Sequence, residues 1–246
     1  MMRDIHQLVT RQVNRWAMDL KTYQEQLEED FKTKPVFPHK PVITVSRQRG
    51  CRGFEFAKIL ASELFYGLFD REIIEYISEH MGVCSELVES LDEKNRSVLE
   101  QWVDSMLHQQ AFDRDDYIRC LGQVIKTAAL QGGIVILGRG ANYLLHGTSA
   151  FHIRLIASLD TRIRNLQEYE GFTAEKAQEI IEKTDRSRAD FVKKYFHKNI
   201  NDPVDYDVVV NMDRTSLDPA VKIVLTCLRA RGFALDEIGG DKRKKR

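Results

Sequence analysis

Residues 46–55 read Ser-Arg-Gln-Arg-Gly-Cys-Arg-Gly-Phe-Glu, with Arg47, Arg49 and Arg52 set around Gly50 and Gly53. Glycines let a backbone approach an anion closely, and guanidinium groups take phosphate oxygens two at a time. The β-branched run Val42–Val45 comes directly before, and apolar residues recur at helical spacing at Phe56, Ile59, Leu60 and Leu64 directly after. Strand, glycine turn and helix start form a generic phosphate site, because backbone N–H groups and the positive end of the helix dipole face the anion. A plain turn between strand and helix is the competing reading of two glycines. The strict phosphate-loop pattern GxxxxGK(S/T) fails at three of its four defining positions. With Gly53 as its second glycine, Gln48, Phe54 and Glu55 stand at the first glycine, the lysine and the hydroxyl.

Other groups could act on a phosphate held there. Asp70 and Arg71 follow an apolar stretch, where a helix N-cap beside a surface arginine is the ordinary reading. Arg139 lies between Gly138 and Gly140 after an apolar run, at the strand end where open α/β sheets bind ligands. Lys183, Arg186, Arg188, Lys193 and Lys194 crowd one helical segment, which is either a solvated face or a cationic clamp. The histidines show no metal-ligand spacing, and His152 reads as a packed strand residue. Trp16 and Trp102 sit at apolar helical positions, as packing residues do.

The elements that must position these groups alternate. Strands are predicted at 42–45, 134–137, 151–157 and 206–211. Helices are predicted at about 56–64, 71–81, 161–169, 174–195 and 219–231, with a helical stretch over 84–131 broken near 113–116. That order predicts a parallel sheet covered by helices on both faces. Before it, Ile5, Leu8, Val9, Val13, Trp16, Ala17 and Leu20 mark one face of a helical arm over 4–33. Three prolines in 34–41 then form a linker, so residues 1–41 read as arm and linker. A lone helix cannot bury that stripe, so the arm is expected to dock on the domain or to join a homodimer. The tail 233–246, ending Lys-Arg-Lys-Lys-Arg, is expected to be disordered.

Composition narrows the function classes. Lys plus Arg and Asp plus Glu both number 37 in 246 residues, so no global basic field argues for nucleic acid. The four cysteines form no CxxC pair, and neither a zinc site nor a disulfide framework is indicated. No apolar stretch is long enough to span a membrane, and the expected location is the cytoplasm.

Five segments in order resemble the cytidylate kinase-like family. Residues 43–57 are similar to its I-T-I-S-R-Q-x-G-S-G-G-R-E-I-A start, and 69–74 to its Y-D-R-E-I-I segment. Residues 135–142 are similar to V-I-x-G-R-G-A-N, 184–191 to the D-x-x-R-A lid helix, and 205–211 to the terminal Y-D-x-x-x-N strand. The resemblance covers about 42–230. It implies a three-layer α/β/α fold of the P-loop nucleoside monophosphate kinase type, with a five-stranded parallel sheet over 42–232 and a lid at about 184–204. It implies ATP with Mg²⁺ as donor and a pyrimidine monophosphate such as CMP or dCMP as acceptor. Ser46, Arg47, Gly50, Cys51, Gly53, Phe54 and Glu55 would then face ATP. Asp70, Arg71, Arg139 and Asp185 would face the acceptor, and Arg52, Arg162, Arg186 and Arg188 the transferring group. Arg164 competes with Arg162 for the first lid position. Two departures from the family stand out: Phe54 replaces its arginine and Arg52 its glycine. Gly140 keeps the family's glycine, where the related cytidylate kinases usually carry the acid of Gly-Arg-Asp. Arg52 supplies the missing charge, or the chain is a nucleotide-binding regulatory module without useful turnover.

Overall fold

Burial splits the apolar residues of the strands by parity. Ile43 and Val45 of the first strand pack to one side with Val135, Leu137, Ile153 and Leu155, while Val42, Ile134 and Ile136 pack to the other. A period of two with both faces buried is the signature of a sheet covered on both sides. The computed structural model describes residues 40–70, 116–233 and 235. The arm, most of the linker, the helix expected over 71–81, most of the stretch 84–131, both tryptophans, residue 234 and the tail from 236 onward lie outside the described residues. Phe233 and Leu235, expected in a disordered tail, instead pack against the core on the side of Ile43 and Val45, with the Phe233 ring edge-on to Phe151.

The described chain runs β1 (Val42–Arg47), α1 (Gly53–Leu64), β2 (Gly67–Phe69), α2 (Asp116–Gln131), β3 (Ile134–Leu137) and α3 (Ala141–Leu144). It continues through β4 (Phe151–Ile156), α4 (Leu159–Glu170), α5 (Ala174–Phe196), a 3₁₀ turn at Pro203–Asp205, β5 (Val208–Asn211) and α6 (Leu217–Ala230). The strands form one five-stranded sheet ordered β2-β3-β1-β4-β5, with every pair parallel. Four of them match runs legible in the sequence. β2 is the addition: three residues opening on Gly67 are too short for any periodicity to register. Strand β5 begins at Val208, because Tyr206 closes the preceding 3₁₀ turn.

Phe56 and Leu60 of α1 and Val224 and Leu228 of α6 are buried against one face of the sheet. Leu121, Val124 and Ile125 of α2 and Leu144 of α3 cover the other, with Phe191, Tyr195 and Phe196 of α5 packed at its edge. Each fully buried phenylalanine or leucine contributes roughly 2 kcal/mol of hydrophobic stabilisation. The three-layer α/β/α architecture therefore holds for the described residues.

Helices α4 and α5 form a hairpin inserted between β4 and β5. Ser158 caps α4 by accepting the Thr161 N–H, and Thr173 caps α5 by accepting that of Lys176. Gly171 ends α4 in the left-handed region at φ 73°, the conformation glycine adopts without a Cβ penalty. The segment expected as a lid, 184–204, is thus the second half of α5 and the turn after it.

Candidate functional site

The loop Gln48–Arg52 follows β1, the central strand, and leads into α1. Arg52, the N-cap of α1, sits at φ 55° and ψ 36°, left-handed for a non-glycine residue, where the family has glycine. Among the described residues no side chain caps the N-terminus of α1, and a helix start with uncapped N–H groups suits phosphate. Gly50 is required on two counts: its φ is +87°, and a Cβ there would lie 2.7 Å from the Arg162 carbonyl oxygen.

The α4–α5 hairpin rests directly on this loop. Asn165 donates to the Gly50 carbonyl at 2.8 Å, and Arg49 pairs with Glu170 at 2.5 Å. The Arg52 guanidinium lies 3.9 Å above the centre of the Tyr169 ring. Asp185 of α5 accepts the Arg49 backbone N–H at 2.8 Å and the Arg162 guanidinium at 2.5 Å. Arg188 donates to the Arg47 carbonyl at 2.9 Å. These contacts surround a cavity of about 230 Å³ walled by the loop, Phe54, Glu55, Tyr169 and Arg188.

A second cavity, about 270 Å³, opens at the carboxyl ends of β1 and β3. Arg47, Arg139, Lys183 and Arg188 line it, with Tyr143 and Phe191 as aromatic walls; no carboxylate among the described residues does. The Arg47 side chain separates the two spaces. It passes over Gly53 and Gly138, where added Cβ atoms would lie 2.6 Å from its Cγ and 2.3 Å from its Nη1. Arg139 adopts φ 55°, which turns its side chain into the cavity. Gly140 faces Phe196, whose ring would be 2.2 Å from a Cβ, so the acid usual in related kinases has no room here.

Beneath this cavity β1 and β4 pair Thr44 with His152 and Ser46 with Arg154. Thr44 Oγ1 lies 2.8 Å from His152 Nδ1, and Arg154 donates to Ser46 Oγ at 2.7 Å and to Asn201 at 2.8 Å. Arg154 is buried, with no carboxylate partner among the described residues. It is a cation held behind the cavity wall, and the sequence reading missed it. Its signal was an arginine alternating with apolar residues in a strand, in register with a loop serine.

Candidate residues from the sequence divide by position. Arg47, Arg52, Gly50, Gly53, Phe54 and Glu55 line the first cavity; Ser46, Arg47 and Arg139 line the second; Arg188 lines both. Cys51 is buried, its N–H donated to the Gln48 carbonyl, and burial pushes its thiol up to about 12. It therefore stays protonated, and its amide serves the turn rather than a ligand. Arg162 and Asp185 meet each other between loop and hairpin, whereas Arg164 bonds Thr161 on the exposed side of α4. Arg186 is exposed and shares an outer groove with Glu179, Glu182 and Asp190, a three- and four-residue spacing on the far side of α5. Lys183 borders both that groove and the second cavity. Lys194 bonds Tyr195 in neither cavity. Asp70 follows directly after β2, and Arg71 lies outside the described residues.

The cytidylate kinase-like family matches residues 42–214, the span holding both cavities, the loop and the hairpin. The chain belongs to that family. No curated protein matches the sequence. Among solved structures, an uncharacterised protein from Eubacterium ventriosum ATCC 27560 aligns at TM-score 0.62 and 20% identity, over 78% of this chain and 99% of that one. A shikimate kinase from Bacteroides thetaiotaomicron aligns at TM-score 0.44 and 14% identity, over 77% and 98%. A gluconokinase from Sinorhizobium meliloti 1021 aligns at 0.46 and 14%, over 81% and 95%. The first likeness is one of fold. As a member of this family the chain is kinase-like, with a loop that departs from the family at 52 and 54. Among the described residues no helix is long and apolar enough to cross a membrane, and no three acidic, His or Cys side chains converge as metal ligands.

Proposed function

We propose that this cytidylate kinase-like protein transfers a phosphoryl group from ATP to a nucleoside monophosphate, with CMP or dCMP as acceptor. The observation that carries this reading is that two adjoining cavities share Arg47 and Arg188. Phosphoryl transfer is mainly positioning and neutralisation of charge on the moving group, so cations common to donor and acceptor spaces are what it needs. The donor phosphates would lie on the uncapped start of α1, with Arg49 and Arg52 beside them. Mg²⁺ would arrive on the nucleotide; of the two carboxylates of this wall, Glu170 is paired with Arg49, and Glu55 is the one its water shell would meet. ATP supplies the phosphoryl group; the chain's own residues bind, orient and exclude water.

On the acceptor side, Arg139 and Lys183 would hold the monophosphate, and Tyr143 and Phe191 would face the base. A phosphate monoester is already an anion at neutral pH, so a cavity lined by four cations suits it without a general base. The Arg162–Asp185 pair would hold the hairpin on the loop while the reaction is shielded from solvent.

Calorimetry with MgATP and with CMP tests the division of labour. Arg188→Ala is expected to weaken both ligands and Arg139→Ala only CMP. Equal affinity for both ligands in both variants would sink the assignment. A second reading is favoured by Phe54, which is 48% exposed at the lysine position and offers no charge. On that reading the chain is a nucleotide-binding regulatory module, recognised by tight binding of both ligands without ADP release.

A further inference from the structure

Arg52 stands two residues before Phe54, so nothing local would direct its long side chain over the loop. Its backbone is left-handed, at φ 55°. What fixes the end of its side chain is the hairpin. Tyr169 lies in the last turn of α4, and the contacts of Asn165 with Gly50 and of Glu170 with Arg49 fasten the end of that helix to the loop. Tyr169 is thereby held with its face under the Arg52 guanidinium, 3.9 Å from ring centre to Cζ. Glu55 lies 3.9 Å from Arg52 Nε, and Arg52 and Tyr169 both wall the phosphate-loop cavity. Guanidinium groups stack on aromatic faces and keep their N–H edges available for hydrogen bonds in the ring plane. Glu55, at 3.9 Å from Nε, is beyond hydrogen-bond distance and so leaves those donors unconsumed.

We infer that Tyr169 is a positioning residue: its ring holds Arg52 over the phosphate loop, where the guanidinium stands in for the cation absent at Phe54. This inference rests on the reading of the loop cavity as the donor nucleotide site. Arg52, Phe54 and Tyr169 then form one unit, in which the cation moved two residues back and acquired an aromatic support from the hairpin. If the stack were only glue between α4 and the loop, its loss would be felt equally whatever residue stood at 54. If it positions the working cation, restoring a lysine at 54 makes Tyr169 dispensable.

The test is calorimetric affinity for MgATP in the full chain, with CMP affinity and unliganded Tm as companion readouts. Tyr169→Ala is expected to bind MgATP about tenfold more weakly, with CMP affinity unchanged. Tyr169→Phe keeps the ring and is expected to stay within about twofold of the parent, while Tyr169→Leu, which keeps apolar cover but no π face, follows the alanine variant. In the Arg52→Gly, Phe54→Lys background, Tyr169→Ala is expected to leave MgATP affinity unchanged. The inference is overturned if Tyr169→Ala binds MgATP like the parent, if Tyr169→Phe loses as much as Tyr169→Ala, or if the loss persists in the restored-lysine background. A parent chain that binds no MgATP overturns the nucleotide reading together with this inference, and is distinguished by the absence of any ligand signal before a substitution is made.

Discussion

Asp185 Oδ1 accepts the backbone N–H of Arg49 at 2.8 Å, so a carboxylate from α5 sits on the loop that would hold phosphate. Its other oxygen binds Arg162, whose side chain is only 11% exposed. The same acid therefore ties the hairpin to the loop and competes with an incoming anion for one loop donor. Asp185→Ala is expected to cost about 2 kcal/mol of stability, because it strands a nearly buried guanidinium, read as a lower urea midpoint. It is also expected to tighten binding of inorganic triphosphate, roughly threefold, as a like charge leaves the loop. Unchanged stability together with unchanged triphosphate affinity would contradict this role.

Phe54 stands where the phosphate cation belongs and is half exposed beside the loop cavity. Phe54→Lys removes little packing and adds a charge-assisted hydrogen bond to a phosphate oxygen. An improvement in kcat/KM of at least about tenfold is expected, measured by ADP release. No gain in either affinity or turnover would mean that the loop does not hold the donor phosphates as described.

Gly140 carries a packing constraint that the sequence hides. Its φ is +67°, and a Cβ would overlap the Phe196 ring. Gly140→Ala is expected to cost about 3 kcal/mol, combining left-handed strain with overpacking. A double-mutant cycle with Phe196→Ala is expected to show coupling of about 1 to 2 kcal/mol, since removing the ring relieves the overlap but not the strain. Additive effects in thermal unfolding would show that the ring is not what excludes a side chain.

His152 gives a pH dependence with a definite sign. Burial lowers its imidazole from 6.5 to about 4, against the pull of Asp207. Between those values the unfolded chain takes up a proton that the folded chain refuses, so stability falls as pH falls through that window. The full loss is up to about 3 kcal/mol. Replacing the imidazole, as in His152→Gln, is expected to flatten the part between pH 6.5 and 5, above most carboxylate titrations. An equal slope in both proteins, measured by urea denaturation, would contradict it.

Much of this fold is legible because buried parallel strands read as continuous apolar runs, as at Ile134–Leu137, and because Thr173 and Gly171 punctuate the hairpin. Strand β2 is not, since Gly67-Leu-Phe carries no periodicity and exists through its pairing with β3. The site is legible where motifs hold the residues, as at Arg139 and Arg188. It is not legible where function depends on which helical face is turned inward. Arg186 and Arg188 are equal in sequence, yet two positions along a helix rotate one outward to Glu182 and Asp190 and the other to the loop. Arg154 escaped notice because a strand arginine draws its meaning from the cross-strand partner Ser46. The support that Tyr169 gives Arg52 spans more than a hundred residues and no local pattern encodes it.

The central claim, that the two cavities sharing Arg47 and Arg188 carry donor and acceptor of one phosphoryl transfer, is tested most directly by acceptor-dependent ADP release. The full chain with MgATP is assayed alone and with CMP, dCMP or UMP. The account expects ADP release that requires a pyrimidine monophosphate and is abolished by Arg188→Ala. ADP release at the same rate with and without acceptor, or none with any acceptor, would contradict it.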